Sequence, residues 1–134
     1  MPFQLYLAVA AGGALGTVGR FFLSGAVANA FGETFPWGTL IVNVTGSFVI
    51  GFLWTVTAPD ARLFVGGTTR QFLLTGICGG YTTFSSFSLQ TLNLMNDGEW
   101  LAAGGNVLGS VVLCMIAVWL GSLTAATINQ LKGA

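Results

Sequence analysis

The chain has no histidine, and only 6% of its 134 residues are charged: four Lys or Arg against four Asp or Glu, for a net charge of zero. Cysteine occurs twice and proline three times. Each scarcity removes a class of function. Without histidine, and with no Cys/Asp/Glu cluster at metal-ligand spacing, a zinc, haem or iron–sulfur site has nothing to hold it. No pair of carboxylates, no Ser/His/Asp set and no phosphate-binding glycine loop occurs, so the chain reads as a non-enzyme. There is no basic run to meet a phosphate backbone, which excludes nucleic acid as a partner. The start, Met1-Pro2-Phe3-Gln4-Leu5, lacks the positive region of a cleaved signal peptide, so the first hydrophobic stretch is expected to be retained. Cys78 and Cys114 both fall in apolar segments, where the simpler reading is small residues in helix packing.

What is present is apolar. Hydrophobic residues make up 54% of the chain and mean hydropathy is +0.81, whereas a soluble domain carries about 25% charged residues. The length suits about four crossings of roughly 20 residues each, with short connections and no separate soluble domain. The expected fold is therefore an all-α integral membrane protein, residues 1–134 forming one four-helix domain. Its spans fall at about residues 5–31, 39–57, 70–95 and 100–129. An even count puts both termini on one side. Arg62, Arg70 and Lys132 lie on that side, and only Glu33, Asp97 and Glu99 on the other, so the positive-inside rule makes the termini cytoplasmic.

Two patterns modify a plain bundle. Glycine occurs 20 times, with Gly12/Gly16, Gly76/Gly80 and Gly105/Gly109 each four apart; small residues at that spacing let helix backbones approach closely, in a tight bundle expected to self-associate. The second pattern is residues 76–88, Gly-Ile-Cys-Gly-Gly-Tyr-Thr-Thr-Phe-Ser-Ser-Phe-Ser, in the middle of the third span. Glycines and hydroxyls there predict a break, and broken backbone at bilayer depth must be buried in protein or line a polar cavity.

Polar residues recur on helix faces. Thr39, Asn43 and Ser47 share one face of the second span; Asn106, Ser110 and Cys114 share one of the fourth. Phe84, Phe87 and Gln90 are placed together on the third. Ser and Thr can satisfy themselves on their own i−4 carbonyls, but a primary amide such as Asn43 is costly in hydrocarbon without partners. No Asp or Glu lies inside a span, so proton-coupled transport lacks its exchanging group and passive flow is favoured. Neutral donors suit an anion better than a cation, and the positive edges of two phenylalanine rings add to that. Arg20, well inside the first span, reads either as a snorkelling residue or as a vestibule charge that attracts anions.

Gly38-Thr39-Leu40-x-Val42-Asn43-x-x-Gly46, then Gly79-Gly80-x-Thr82-Thr83-Phe84-Ser85-Ser86-Phe87-Ser88, together with Gly16-x-x-x-Arg20, resemble the Fluc (CrcB-type) fluoride channels over essentially the whole chain. The resemblance implies an antiparallel dimer of four-helix protomers with a broken third helix. It implies two fluoride pores per dimer, passive fluoride export across the plasma (inner) membrane, and fluoride resistance. It places Phe84, Phe87, Asn43 and Thr83 at the pore, with Ser110 and Asn106 on a fourth-span polar track. It implies a structural sodium ion at the dimer centre, held by the carbonyls of Gly79 and Thr82 from two chains. The sequence departs from the pattern at Gln90, where many members carry glutamate, at Asn106, where some carry tyrosine, and at Cys114, where some carry serine. The charge bias across the loops leaves two assemblies, a homodimer or a heterodimer with an oppositely oriented homologue. Two other functions compete: a small-solute or cation transporter, against which the missing intramembrane carboxylate counts, and a non-conducting packing subunit, which has no need of Asn43 or a break.

Overall fold

The computed structural model describes residues 2–61, 63 and 65–132, the side chain of Lys132 excepted; Arg62, which carries part of the expected loop charge, lies outside them. Among the described residues the structure is all helical: α1 (Phe3–Phe31), α2 (Trp37–Val56), α3 (Gly67–Gln71), a π-helical segment (Phe72–Cys78), α4 (Gly79–Tyr81), α5 (Phe84–Asn96) and α6 (Trp100–Lys132). Three of them, α1, α2 and α6, are long and apolar enough to cross a membrane.

Backbone proximity organises the packing. A Cβ on Gly12 would stand 2.5 Å from the Phe72 carbonyl oxygen, and one on Gly16 would collide with that of Ile77. From the other side, a Cβ on Gly80 would lie 2.5 Å from the Gly13 carbonyl. Thus α1 lies backbone to backbone on the π segment and α4. The α2–α6 pair is built the same way: Gly51 abuts the Val118 carbonyl and Gly121 that of Phe48. Ala117 and Ala125 of α6 are buried. Such contacts depend on small residues because dispersion and close approach, rather than water exclusion, drive helix association in lipid. Polar ties supplement them: the Thr55 and Ser122 hydroxyls lie 2.8 Å apart, and Asn129 Nδ2 donates to the Thr55 carbonyl at 3.2 Å. The expected packing role of Gly105 and Gly109 is not met among the described residues, none of which lies within 4 Å of a Cβ on either.

Arg70 closes the end of α2. Its Nη2 donates to the Trp54 carbonyl at 2.8 Å and its Nε to Thr57 Oγ1 at 3.1 Å, while its guanidinium stacks 4.1 Å over the Trp54 ring. A cation at a helix C-terminus meets both the orphan carbonyls and the negative end of the dipole. At the other end of the bundle α5 stops in a Schellman motif. Glu99 N donates to the Leu94 carbonyl (2.8 Å) and Gly98 N to that of Met95 (3.0 Å), with Gly98 at φ +80°. That motif turns the chain directly into α6.

Between α4 and α5 the helical path stops. Thr82 (φ −83°, ψ 158°) and Thr83 (φ −152°, ψ 115°) are extended. The glycine pair just before them is helical: Gly79 sits at φ −65°, ψ −37°. The interruption therefore belongs to the two threonines, and Gly80 serves close packing on α1. Thr82 terminates α4 by directing both its N–H (3.1 Å) and its hydroxyl (3.0 Å) to the Cys78 carbonyl. Thr83 starts α5 as its N-cap, its Oγ1 accepting from Ser86 N at 3.2 Å.

Candidate functional site

Interrupting a helix frees backbone groups that need partners in an apolar setting. Here they come from two neighbouring helices. Asn43 of α2 grips the Thr83 peptide at two points: Nδ2 donates to the Thr83 carbonyl (2.9 Å), and Oδ1 accepts from Thr83 N–H (2.8 Å). The side chain thereby imitates one rung of a β-ladder. The Gly80 carbonyl, which an unbroken helix would pair with residue 84, instead accepts from Arg20 Nε at 3.1 Å and Thr17 Oγ1 at 3.4 Å, both on α1. Arg20 is thus engaged with the interruption itself. Gly46 of α2 admits the threonine pair, since a Cβ there would collide with Thr82 Cγ2.

Two hollows flank this clamp. The first, about 300 Å³, is walled by Asn43, Ser47, Thr82, Thr83, Phe84, Phe87, Ser110 and both cysteines. Five of the residues singled out from sequence (Asn43, Thr83, Phe84, Phe87 and Ser110) meet there. The rings of Phe84 and Phe87 are 5.3 Å apart at 54°, with Phe87 buried and Phe84 76% exposed. The second hollow, about 350 Å³, opens among the end of α1, the 32–36 loop, the start of α2 and α5; Arg20, Thr39, Ser86 and Gln90 lie on its wall. Thr83 lines both hollows, so the Asn43–Thr83 pair stands between them.

Two expected placements come out differently. Gln90 does not share the cavity of Phe84 and Phe87. Six residues along a helix at about 100° each put it some 120° around from Phe84, where it faces the second hollow, its Oε1 buried without a hydrogen-bond partner among the described residues. Asn106 lies just outside the cavity wall, 2% exposed, held by neighbours rather than facing the open space.

Several participants were not singled out from sequence. Thr91 Oγ1 donates to the Phe87 carbonyl (2.8 Å) and accepts from Asn106 Nδ2 (2.9 Å), and Asn106 Oδ1 accepts from Ser110 Oγ (3.3 Å). Tyr81 OH lies 2.8 Å from Thr45 Oγ1. Thr91 stands four residues after Phe87, the spacing of a side chain bonded back to its own helix. That spacing marks it as a helix hydroxyl but not as a partner of α6.

The cavity holds hydroxyls, one amide, two thiols and aromatic rings, and no carboxylate or base. Among the described residues no group of three or more His, Cys, Asp or Glu is placed to hold a metal ion. The arrangement can offer hydrogen-bond donors and ring edges to a small solute; it has no residue set for covalent or acid–base catalysis.

Comparison with known proteins gives the same picture. A family model described as CrcB-like protein, Camphor Resistance (CrcB), matches residues 7–122. The chain is 66% identical over 130 residues to a protein of Opitutus terrae named fluoride-specific ion channel FluC, covering 97% of this chain and 98% of that one. It is 58% identical over 125 residues to a protein of the same name in Rhodospirillum rubrum, covering 93% and 97%. It is 51% identical over 129 residues to FluC 1 of Rhodopseudomonas palustris, covering 96% and 92%. The family is one of ion channels, not enzymes, and three membrane-length apolar helices make this a multi-pass membrane protein. On the match across residues 7–122 and relatives of such identity over nearly their whole length, the chain belongs to the CrcB family.

Proposed function

We propose that this chain is a fluoride-selective channel that lets fluoride leave the cytoplasm passively through the inner membrane and so confers fluoride resistance. The observation that carries the proposal is the 300 Å³ cavity at the Thr82–Thr83 interruption, where two phenylalanine rings and neutral donors meet with no carboxylate or base on the wall. Fluoride is a strong hydrogen-bond acceptor, so leaving water requires replacement donors. Asn43 spends one amide hydrogen on Thr83 and retains a second; the Ser47 hydroxyl and the Phe84 and Phe87 ring edges stand alongside. The N-terminus of α5 opens at Phe84 on the same wall, adding the positive end of a helix dipole. A wall without ionisable carboxylates gives no means of coupling flow to protons. The relatives' printed names, fluoride-specific ion channel, support the same ion.

The working assembly in this proposal is an antiparallel homodimer of four-span protomers with two pores, the third span being the path from α3 through α5. Phe84, 76% exposed in the single chain, is then covered by the partner. A structural sodium ion fits this assembly at the dimer centre. The carbonyls of Gly79 and Thr82 accept no hydrogen bond among the described residues, and neutral carbonyl oxygens are the ligands a hard cation takes. Two such carbonyls from each chain would hold the ion, whose charge would fix the two interruptions against each other. A heterodimer with an oppositely oriented homologue is the second assembly; the numeral in the name FluC 1 supports it.

Liposomes containing only this chain test the function. Loaded with fluoride or chloride, they are expected to lose fluoride rapidly and retain chloride. Equal loss of both ions, or loss of neither in vesicles shown to contain folded protein, would overturn the proposal.

A further inference from the structure

The hydrogen-bond chain behind the cavity has a direction. The Phe87 carbonyl can only accept, so the Thr91 hydroxyl spends its hydrogen there (2.8 Å) and leaves its lone pairs for Asn106 Nδ2 (2.9 Å). With its amide nitrogen turned to Thr91, Asn106 presents Oδ1 to Ser110, whose hydroxyl hydrogen it accepts (3.3 Å). Ser110 is on the cavity wall, yet in this arrangement it shows the cavity lone pairs. An anion there needs the hydrogen instead.

We propose that Thr91, acting through Asn106, holds the Ser110 hydrogen away from the cavity and so sets how tightly the cavity takes a small anion. Thr91 is a positioning residue: it lies outside the wall and acts only through its neighbours. The inference rests on the anion-conducting reading above. To serve an anion Ser110 either turns its hydrogen from Asn106, losing that one bond, or the whole chain reverses. Thr91 then donates to Asn106 Oδ1, Asn106 donates to Ser110 Oγ, and Ser110 donates to the anion. Without an anion the observed direction makes three hydrogen bonds and the reversed one makes two, the bond to Phe87 being lost. The anion restores the third, so Ser110 brings no net gain in hydrogen bonds to the wild-type cavity.

Valine at position 91 removes the bias. The two orientations of Asn106 then make one bond each, to Ser110, and the reversed one gains a second when an anion arrives. In planar bilayers, Thr91→Val is expected to lower the fluoride concentration giving half-maximal current about fivefold, the ratio that one neutral hydrogen bond is worth. Thr91→Ser, which keeps the hydroxyl, should match wild type. Asn106→Leu frees the Ser110 hydrogen by removing its acceptor and should shift the same way, with no further shift in the double variant, because both act on one chain of bonds. A merely structural role would reduce current in all variants without lowering half-saturation. Unchanged or raised half-saturation in Thr91→Val, or the same shift in Thr91→Ser, overturns the inference. Should Thr91→Val not fold, Asn106→Leu against wild type decides it in the same terms. Wild-type protein that carries no fluoride current would instead overturn the function on which the inference rests.

Discussion

Replacing Asn43 with leucine isolates the cost of holding an interrupted helix open. The substitution keeps the branched shape and removes both bonds to the Thr83 peptide, 2.9 and 2.8 Å long. It leaves one N–H and one C=O unpaired, each costing about 1–3 kcal/mol when buried. The two sum to about 2–6 kcal/mol; because Asn43 is only part-buried beside a cavity that can admit water, the lower half, about 2–4 kcal/mol, is expected. Denaturant unfolding in detergent micelles, followed by tryptophan fluorescence, measures the loss. Asn43→Asp refines the test. A protonated carboxyl offers one acceptor and one donor, as the amide does, whereas a carboxylate would face the Thr83 carbonyl with like partial charge. As the neutral acid, Asn43→Asp therefore keeps both bonds and is expected to lose less stability than Asn43→Leu in acid. A loss under 1 kcal/mol for Asn43→Leu, or a loss in acid as large for Asn43→Asp, would refute the account of the clamp.

Three further outcomes are expected. Gly12→Ala should cost about 1–3 kcal/mol by forcing a Cβ onto the Phe72 carbonyl, while Gly13→Ala, whose Cβ meets nothing within 4 Å in the chain, should gain up to about 1 kcal/mol from helix propensity; the same unfolding assay ranks the pair. Arg70→Lys, which keeps the charge but not the fork over Trp54 and Thr57, should lose about 1 kcal/mol, and hydrogen exchange should show the last turn of α2 opening more often. Replacing sodium with a large organic cation throughout purification should weaken dimers, with crosslinking yield as the measure; unchanged yield and flux would remove the central cation from the proposal.

Much of the architecture was legible because membrane helices announce themselves by length and hydropathy. The spans expected at 39–57 and 70–95 end within a residue of where the structure ends α2 and α5, at Val56 and Asn96. The cavity was legible in part: Asn43, Phe84, Phe87 and Ser110 stand out as polar or aromatic residues repeated on one face. The location of the interruption was less so, because glycine signals two different things, backbone freedom and close approach. Gly79 and Gly80 keep helical backbone and Gly80 serves approach, leaving the change of direction to β-branched Thr82 and Thr83, whose hydroxyls close one helix and cap the next. Gln90 shows the limit of counting along a helix: three residues keep a face, six lose it. The Thr91–Asn106 bond joins α5 to α6, and one-dimensional periodicity holds no information on which faces meet.

The partners that satisfy the interruption have a consequence for how the protein is made. The peptide groups around Thr83 and Gly80 are completed by Asn43, Arg20 and Thr17, all earlier in the chain. The nascent segment from α3 to α5 by itself, in an apolar setting, has every reason to stay a continuous helix, since each group that a kink exposes there is penalised. Its final shape is contingent on α1 and α2 already standing beside it in the bilayer. The N-terminal half thus acts as a template on which the interrupted segment is bent, and damage to Arg20 or Asn43 would reach the cavity as an error of assembly before it became an error of function.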